Sequence, residues 1–410
     1  MLEANKAAAV KFGIDTHFIE EKTDTQRNIE ILGDDLTFIS VREFQRTKHV
    51  HRLHPYLGKF IPQLVEVFLK RYFTEGDTVL DPFAGSGTAL IEANVLGMNS
   101  VGIELSPFNV LIQEVKAKKY NISEVEREIK DALKRLKFFS RRLQIKEKGQ
   151  TLLDDAIEKF ETDSDYLKEW LSGRALQEIL FYRSIIADYK SQDILKIILS
   201  RAARSARLVP HYDLARPKKP VRETYWCIKH KRYCTPIDEA LKFINRYSYD
   251  TIKRLEEFDR MRTNASIKII QGDARKIKLP EDFKIDGIFT SPPYVGIIDY
   301  HEQHRYAYEL FGFPRQDELE IGPAAKGQNG KSKKEYQRGI TEVFKNVSEY
   351  LIDDAKIFIV ANDKFNLYPT VGKACGFELL DVFHRPVLMR TERDQNKYFE
   401  SIFYFKKEGK

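Results

Sequence analysis

The residues best suited to do chemistry in this chain are Ser291, Pro292, Pro293 and Tyr294, which end the apolar run KIDGIFT. An amine on an aromatic ring is a poor nucleophile because its lone pair is delocalised into the ring. The hydroxyl of Ser291 and the backbone carbonyl of Pro292 offer two acceptors for the amine's hydrogens. Held that way, the nitrogen moves toward tetrahedral geometry and its lone pair is freed for attack. Two consecutive prolines fix the backbone and remove amide donors that would compete. Tyr294 adds a face on which a flat ring can stack. No covalent intermediate is needed, and the chain has no Pro-Cys pair to form one. Standing alone, the same four residues would serve as punctuation between a strand and a turn.

A second stretch makes the chemical reading the stronger one. In TVLDPFAGSGT, Thr78 to Leu80 are β-compatible, Asp81 and Pro82 end the run, and Phe83, Ala84, Gly85, Ser86, Gly87 and Thr88 lead into the helix pattern ALIEANVLGM. Two glycines let the backbone pass close to a ligand, and the free amides of the new helix face the same place. The dinucleotide fingerprint would have a third glycine where Leu90 stands, and the phosphate loop would have Gly-Lys-Ser/Thr, so polyphosphate is disfavoured. An acid at a strand end suits a ligand with a positive group, and S-adenosylmethionine carries an ammonium and a sulfonium. The next strand, SVGIEL, ends in Glu104 and Leu105. Glu104 lies 23 residues after Asp81, where a doubly wound fold places a carboxylate on ribose hydroxyls.

These residues need a sheet to bring them together. Strand runs alternate with helical ones before residue 120 and again after 265. The linking turns are short, and the last two strand runs have no helix between them. This predicts an α/β fold with a mostly parallel sheet and an antiparallel edge. Residues 1–44 read as an arm with room for one short strand. Residues 45–120 form the cofactor half, with Lys59, Phe60 and Pro62 leading into a helix just before the glycine loop. Residues 121–264 read as charged helices without strand alternation, a helical insertion between the second and third strands. Residues 265–410 form the catalytic half. There, Asp273 and Ala274 follow a β run, and GIIDYHEQHRYAYELFGF reads as helix with exposed rings and histidines. GPAAKGQNGKSKK, with Lys331, Lys333 and Lys334, reads as a mobile basic loop.

With 42% hydrophobic and 31% charged residues, the 410-residue chain is ordinary for a globular protein. No apolar run approaches the roughly 20 residues that span a bilayer, and the apolar segment at the N-terminus is too short for a secretory signal. Three cysteines agree with a reducing compartment, so a cytoplasmic protein is expected. The net charge of +7 is concentrated, since Arg201 to Tyr233 holds ten Lys or Arg against two acids. Arg201, Arg204, Arg207, Arg216, Lys218, Lys219 and Arg222, interleaved with tyrosines and a tryptophan, match what a nucleic-acid surface needs.

Phe60 to Pro62, then DPFAGSGT, Glu104, Asp273 and TSPPY, in this order, resemble the amino-group DNA methyltransferases. These are S-adenosylmethionine-dependent enzymes with a seven-stranded Rossmann-like sheet. The resemblance covers about residues 45 to 110 and 265 to 405. It implies that Asp81, Phe83 and Gly85 line the methionine end of the cofactor, that Lys59 and Phe60 close over it, and that Glu104 holds the ribose and Asp273 the adenine edge. Ser in the first position of the Ser-Pro-Pro-Tyr motif is the form most often seen in the cytosine N-4 branch, so the expected product is N-4-methylcytosine in double-stranded DNA. A restriction endonuclease is a possible partner. Adenine N-6 methylation, an RNA base-amine methyltransferase and a non-catalytic nucleic-acid-binding protein are the rival readings.

Cys227, His230 and Cys234 lie close enough to suggest zinc, with His211 as a distant fourth ligand. Without a paired Cys-x-x-Cys, the simpler reading is reduced thiols in a basic loop and no metal. His301 and His304 are expected to touch DNA, and Cys375 to be core.

Overall fold

Strand β1 (Thr78–Asp81) lies beside β2 (Asn99–Glu104) on one side and β6 (Ile285–Thr290) on the other, all parallel. The computed structural model describes residues 27–56, 60–147, 158–214, 217–387 and 398–409. The sheet is completed by β5 (Ile267–Gln271), β7 (Leu351–Ala361), β8 (Phe377–Val387) and β9 (Tyr398–Lys407), in the order β5-β2-β1-β6-β7-β9-β8. The last strand, β9, is antiparallel to both neighbours and inserts between β7 and β8. This is the seven-stranded, mostly parallel sheet with an antiparallel edge that the alternation of runs predicts.

Period-two alternation decides which face each side chain fills. Val79, Phe289, Phe358 and Ile402 point to one face, against α2 (Pro62–Tyr72) and α3 (Thr88–Val95). Their neighbours Leu80, Ile288, Ile357 and Phe403 point to the other, against α12 (Gly330–Ser348) and α13 (Tyr368–Ala374). Both sheet faces are covered, as continuous apolar runs in parallel strands require.

Between β2 and β5 come α4 (Pro107–Ala117), α5 (Ile122–Glu147), α6 (Asp165–Trp170), α7 (Gly173–Ile185), α8 (Gln192–Ala206) and α9 (Leu241–Asp259). Their apolar faces form one cluster with α4 of the sheet layer and with α11 (Arg305–Phe311), so this segment shares a core with the catalytic half.

Four local expectations change. The described part of the arm is helical, at 27–32 and in α1 (Glu43–Arg46), and has no strand; Asn28 Nδ2 donates to the His384 carbonyl on β8 at 3.0 Å. The segment between α8 and α9 holds a hairpin, β3 (Tyr225–Cys227) with β4 (Arg232–Cys234), whose three-residue strands are too short to show a period. The loop with Lys331, Lys333 and Lys334 is helical from Gly330, because Asn329 caps it by accepting from Ser332 N at 2.9 Å. Finally, α10 (Tyr300–Gln303) and α11 are helical, yet His301, His304, Tyr306 and Tyr308 are buried, because α8 and α6 pack over α11.

Candidate active site

The carboxyl ends of β1, β2, β5 and β6 open on one pocket with about 930 Å³ of empty space, its mouth included. Open α/β sheets place ligands there. Phe60, Asp81, Pro82, Phe83, Ala84, Gly85, Ser86 and Thr88 line the pocket together with Glu104, Leu105, Asp273, Ala274, Ser291 and Pro293. Two motifs some 200 residues apart therefore meet in one cavity. The join is direct, since β1 and β6 are neighbours and Thr290 Oγ1 donates to Asp81 Oδ1 at 2.6 Å.

Other expected residues act from outside the wall. Pro62 opens α2 at its first turn, and Gly87 caps α3 at φ +75°, where a Cβ would come within 2.9 Å of Gln113 Cγ. Pro292 is buried behind Pro293. Tyr294 is half-buried and its hydroxyl donates to Glu400 Oε1 at 2.9 Å; the other carboxylate oxygen accepts from buried Arg385 Nε at 2.8 Å. This chain ties the end of the catalytic motif to the β8-β9 edge. Lys59 and Arg216 lie outside the described residues.

The two strand-end acids are buried. Asp81 also accepts from Phe83 N at 3.1 Å. Burial, with some help from the nearby Glu104 charge, raises its carboxyl to about 7. Glu104 accepts from Gly85 N at 2.7 Å, Ser106 N at 2.8 Å and Asn109 Nδ2 at 3.3 Å, and burial still raises it to about 7. Two desolvated acids with no cation against them form a site that a positively charged ligand would stabilise. Asp273 differs. Burial would raise its carboxyl, but the Arg275 guanidinium, bonded to both oxygens at 2.8 Å, holds it below the usual value. A ligand at Asp273 must share it with Arg275.

Residues that sequence reasoning missed shape the loop. Asn109, Gln113 and Lys116 stand at i, i+4 and i+7 on buried turns of α4. Gln113 Nε2 donates to the Gly85 carbonyl at 2.9 Å, and Lys116 Nζ bonds the Ser86 carbonyl. Three polar residues at helical spacing in an apolar helix were the available signal. Tyr56 stands over the loop, where a Cβ on Gly85 (φ +50°) would lie 3.1 Å from its hydroxyl. Tyr300, His301 and Glu320 complete the wall, and His301 Nδ1 bonds Glu320. His304 stacks on Tyr56 at 5.5 Å between ring centroids, and burial lowers its imidazole to about 3, so it is neutral. Neither histidine is free to meet DNA.

The basic segment divides in two. Arg201, Arg204 and Arg207 belong to the interior rather than to a phosphate-binding surface. Arg201 Nη1 pairs with Asp250 Oδ2 at 2.7 Å, and its guanidinium lies 4.0 Å from the Tyr247 ring centroid. Burial lowers the Arg204 guanidinium. Arg207 donates to the Leu214 carbonyl at 2.9 Å and lies over the Tyr306 ring. All three sit at the end of α8, whose packed faces carry their stems inward. Lys218, Lys219 and Arg222 are exposed, as are Lys331 and Lys334, while Lys333 covers the Phe365 ring.

A family model described as DNA methylase, for N-6 and N-4 methyltransferases, matches residues 15–114. The type II methyltransferase M.MjaII of Methanocaldococcus jannaschii is 43% identical, in an alignment covering 95% of this chain and 87% of that protein. M.BsoBI of Geobacillus stearothermophilus is 25% identical, covering 71% of this chain and 58% of that protein. M.MvaI of Kocuria varians is 22% identical, covering 64% and 57%.

Proposed function

Because the chain belongs to the amino-group DNA methyltransferases, we propose that it methylates N-4 of cytosine in double-stranded DNA, with S-adenosylmethionine as donor. The observation that carries this reading is the shared cavity. Ser291 and Pro293 line the same pocket as Asp81, Glu104 and the glycine loop. The residues present fit the cofactor. Buried Asp81 suits its cationic methionine end, and Glu104 its ribose hydroxyls. Ser86 Oγ and Thr88 Oγ1 are buried without a hydrogen-bond partner among the described residues, ready for a polar ligand.

When bound, S-adenosylmethionine supplies an electrophilic methyl on a sulfonium. The chain's own work is to present the amine. A base must leave the duplex to reach a pocket of this kind. Ser291 Oγ and the Pro292 carbonyl accept from the two amine hydrogens, which localises the lone pair. Half-buried Tyr294, anchored through Glu400, offers a ring beside them. The methylated amine is acidic enough to release its extra proton to water, so neutral, buried His304 is not needed as a base.

Cytosine is favoured over adenine by Ser291, the residue that the cytosine branch of the family most often carries in this position. The exposed Lys218, Lys219 and Arg222, beside the hairpin, are the surface proposed to meet DNA phosphate, with Lys331 and Lys334 on α12 as a second group. The type II designation of the relatives supports a partner endonuclease of the same recognition sequence. Among the described residues no helix is long and apolar enough to cross a membrane. Incubation with methyl-labelled cofactor and duplex DNA or RNA, followed by nucleoside mass spectrometry, tests the assignment. The expected product is N-4-methylcytosine from DNA. Recovery of N-6-methyladenine refutes the base, and label in RNA alone refutes the substrate.

A further inference from the structure

The β3-β4 hairpin carries a cluster of side chains that methyl transfer does not use. Tyr225 pairs with Cys234, and Cys227 with Arg232. Side chains alternate along each strand, so Cys227 and Cys234 share one face while Trp226 and Tyr233 occupy the other. The cysteine face is buried, whereas Trp226 and Tyr233 are 52% and 71% exposed. His230 stands in the turn between the strands, and His211 comes from the turn that follows α8. Both cysteines are free thiols. Cys234 Sγ lies 3.5 Å from His230 Nδ1, and Cys227 Sγ lies 4.0 Å from His211 Nδ1. One donor atom from each of the four residues lies within 4.8 Å of all the others.

We propose that His211, Cys227, His230 and Cys234 bind one zinc ion in tetrahedral geometry, and that the ion fastens the hairpin to the turn at His211. Two thiolates and two imidazoles are a complete donor set for zinc, with no position left for water, which marks a structural site. Bond lengths of about 2.0 Å to nitrogen and 2.3 Å to sulfur give tetrahedral edges of about 3.3–3.8 Å. The observed 3.5 and 4.0 Å separations need only small side-chain movements to reach these values. On binding, each thiol releases its proton to solvent. The Tyr225 hydroxyl lies 3.0 Å from His211 Nδ1 and also accepts from the His211 backbone N–H at 3.0 Å. It keeps the second bond when the metal takes the ring nitrogen.

The hairpin has a physical need for such an ion. Two three-residue strands cannot hold themselves together in water. Their outer face, with Trp226, Tyr233 and the exposed Lys229, Lys231 and Arg232, has no apolar cover to help. The order Cys-x2-His-x3-Cys, with a histidine 16 residues earlier, lacks a paired Cys-x-x-Cys, so only the folded chain shows the four donors together.

The test uses the full chain, purified without chelator from zinc-supplemented medium, with metal measured by plasma mass spectrometry. About one zinc per chain is expected. Cys227→Ser and Cys234→Ser should each lose it, and Cys375→Ser, whose thiol donates to the Thr341 carbonyl instead, should keep it. Because the hairpin variants could misfold, the native chain is also stripped with chelator and given Co²⁺. Thiolate-to-cobalt charge transfer and tetrahedral d–d bands should appear, and zinc should bleach them. Absence of zinc from the native chain together with absence of these bands overturns the proposal, as does a Cys227–Cys234 disulfide. The buried trio His49, His51 and Glu92 is another possible metal-binding group and has no sulfur. Bound metal without charge transfer, retained in Cys227→Ser, would place the ion there and also refute the hairpin site.

Discussion

Replacing Asp81 with Asn removes one charge from the cofactor pocket while sparing the bonds that hold the loop. The carboxylate oxygen that accepts from Thr290 Oγ1 at 2.6 Å and Phe83 N at 3.1 Å can be replaced by the amide oxygen, so β1 and β6 stay joined. What is lost is the attraction for the cationic end of S-adenosylmethionine. A hydrogen bond to a charged group contributes about 1.5–3 kcal/mol, which converts to roughly 10- to 150-fold weaker binding. The pH dependence is more diagnostic than the loss itself. Asp81 and Glu104 both titrate at about 7 in the free protein. A cation binds the charged forms, so affinity should fall as pH drops below 7, by up to about tenfold per unit for each group that must lose its proton. In Asp81→Asn only Glu104 remains to titrate, and the slope should approach half its native value. Titration calorimetry from pH 5.5 to 8.5 measures both, with the melting temperature reporting on folding. Native affinity together with an unchanged slope would refute the assignment of Asp81 to the cationic end.

The same two acids make the ligand-free protein pH-sensitive. Their native values of about 7 exceed the ordinary 3.8 and 4.5, so the native state binds more protons than the unfolded chain between those limits. Their contribution to stability is therefore full below pH 4 and lost as pH rises through 7. The cofactor's stabilising shift in melting temperature should be larger at pH 8 than at pH 5.5, and an equal shift at both would count against this coupling. Ser291→Ala should leave cofactor affinity within about twofold and lower kcat by about 100-fold, in line with removal of one oriented polar group; single-turnover methylation checks this. Charge reversal of Lys218, Lys219 and Arg222 together should weaken DNA binding and reduce the salt slope by about three, near 0.9 for each lost phosphate contact. An unchanged slope would remove this surface from the interface. Arg207→Ala should instead lower the melting temperature, because its guanidinium is buried against the Leu214 carbonyl and Tyr306.

Sequence and fold divide the explanation unevenly. The local signals were strong where backbone geometry dictates residue type. The glycine loop, the acids ending two strands and the double proline each state a conformation, and all three lie where ligands meet an α/β sheet. Burial was not legible in the same way. Arg201, Arg204 and Arg207 have the same composition on a surface as in an interior. Only the packing of α8 against α9 and α11 turned them inward. His301 and His304 went the same way, and Lys331 to Lys334 became helix because one side chain, Asn329, supplied a cap.

The sequence by itself determined the sheet, the two halves of the site and the class of reaction, because periodicity, turns and strand ends are properties of neighbouring residues. Tertiary structure alone decided which charges remain exposed and how Gln113 and Lys116 hold the loop carbonyls. It also brought His211 to the two cysteines across 16 residues. Those outcomes depend on which surfaces of distant helices meet, and the dielectric around a charge is set by that meeting rather than by the residue's neighbours in the chain.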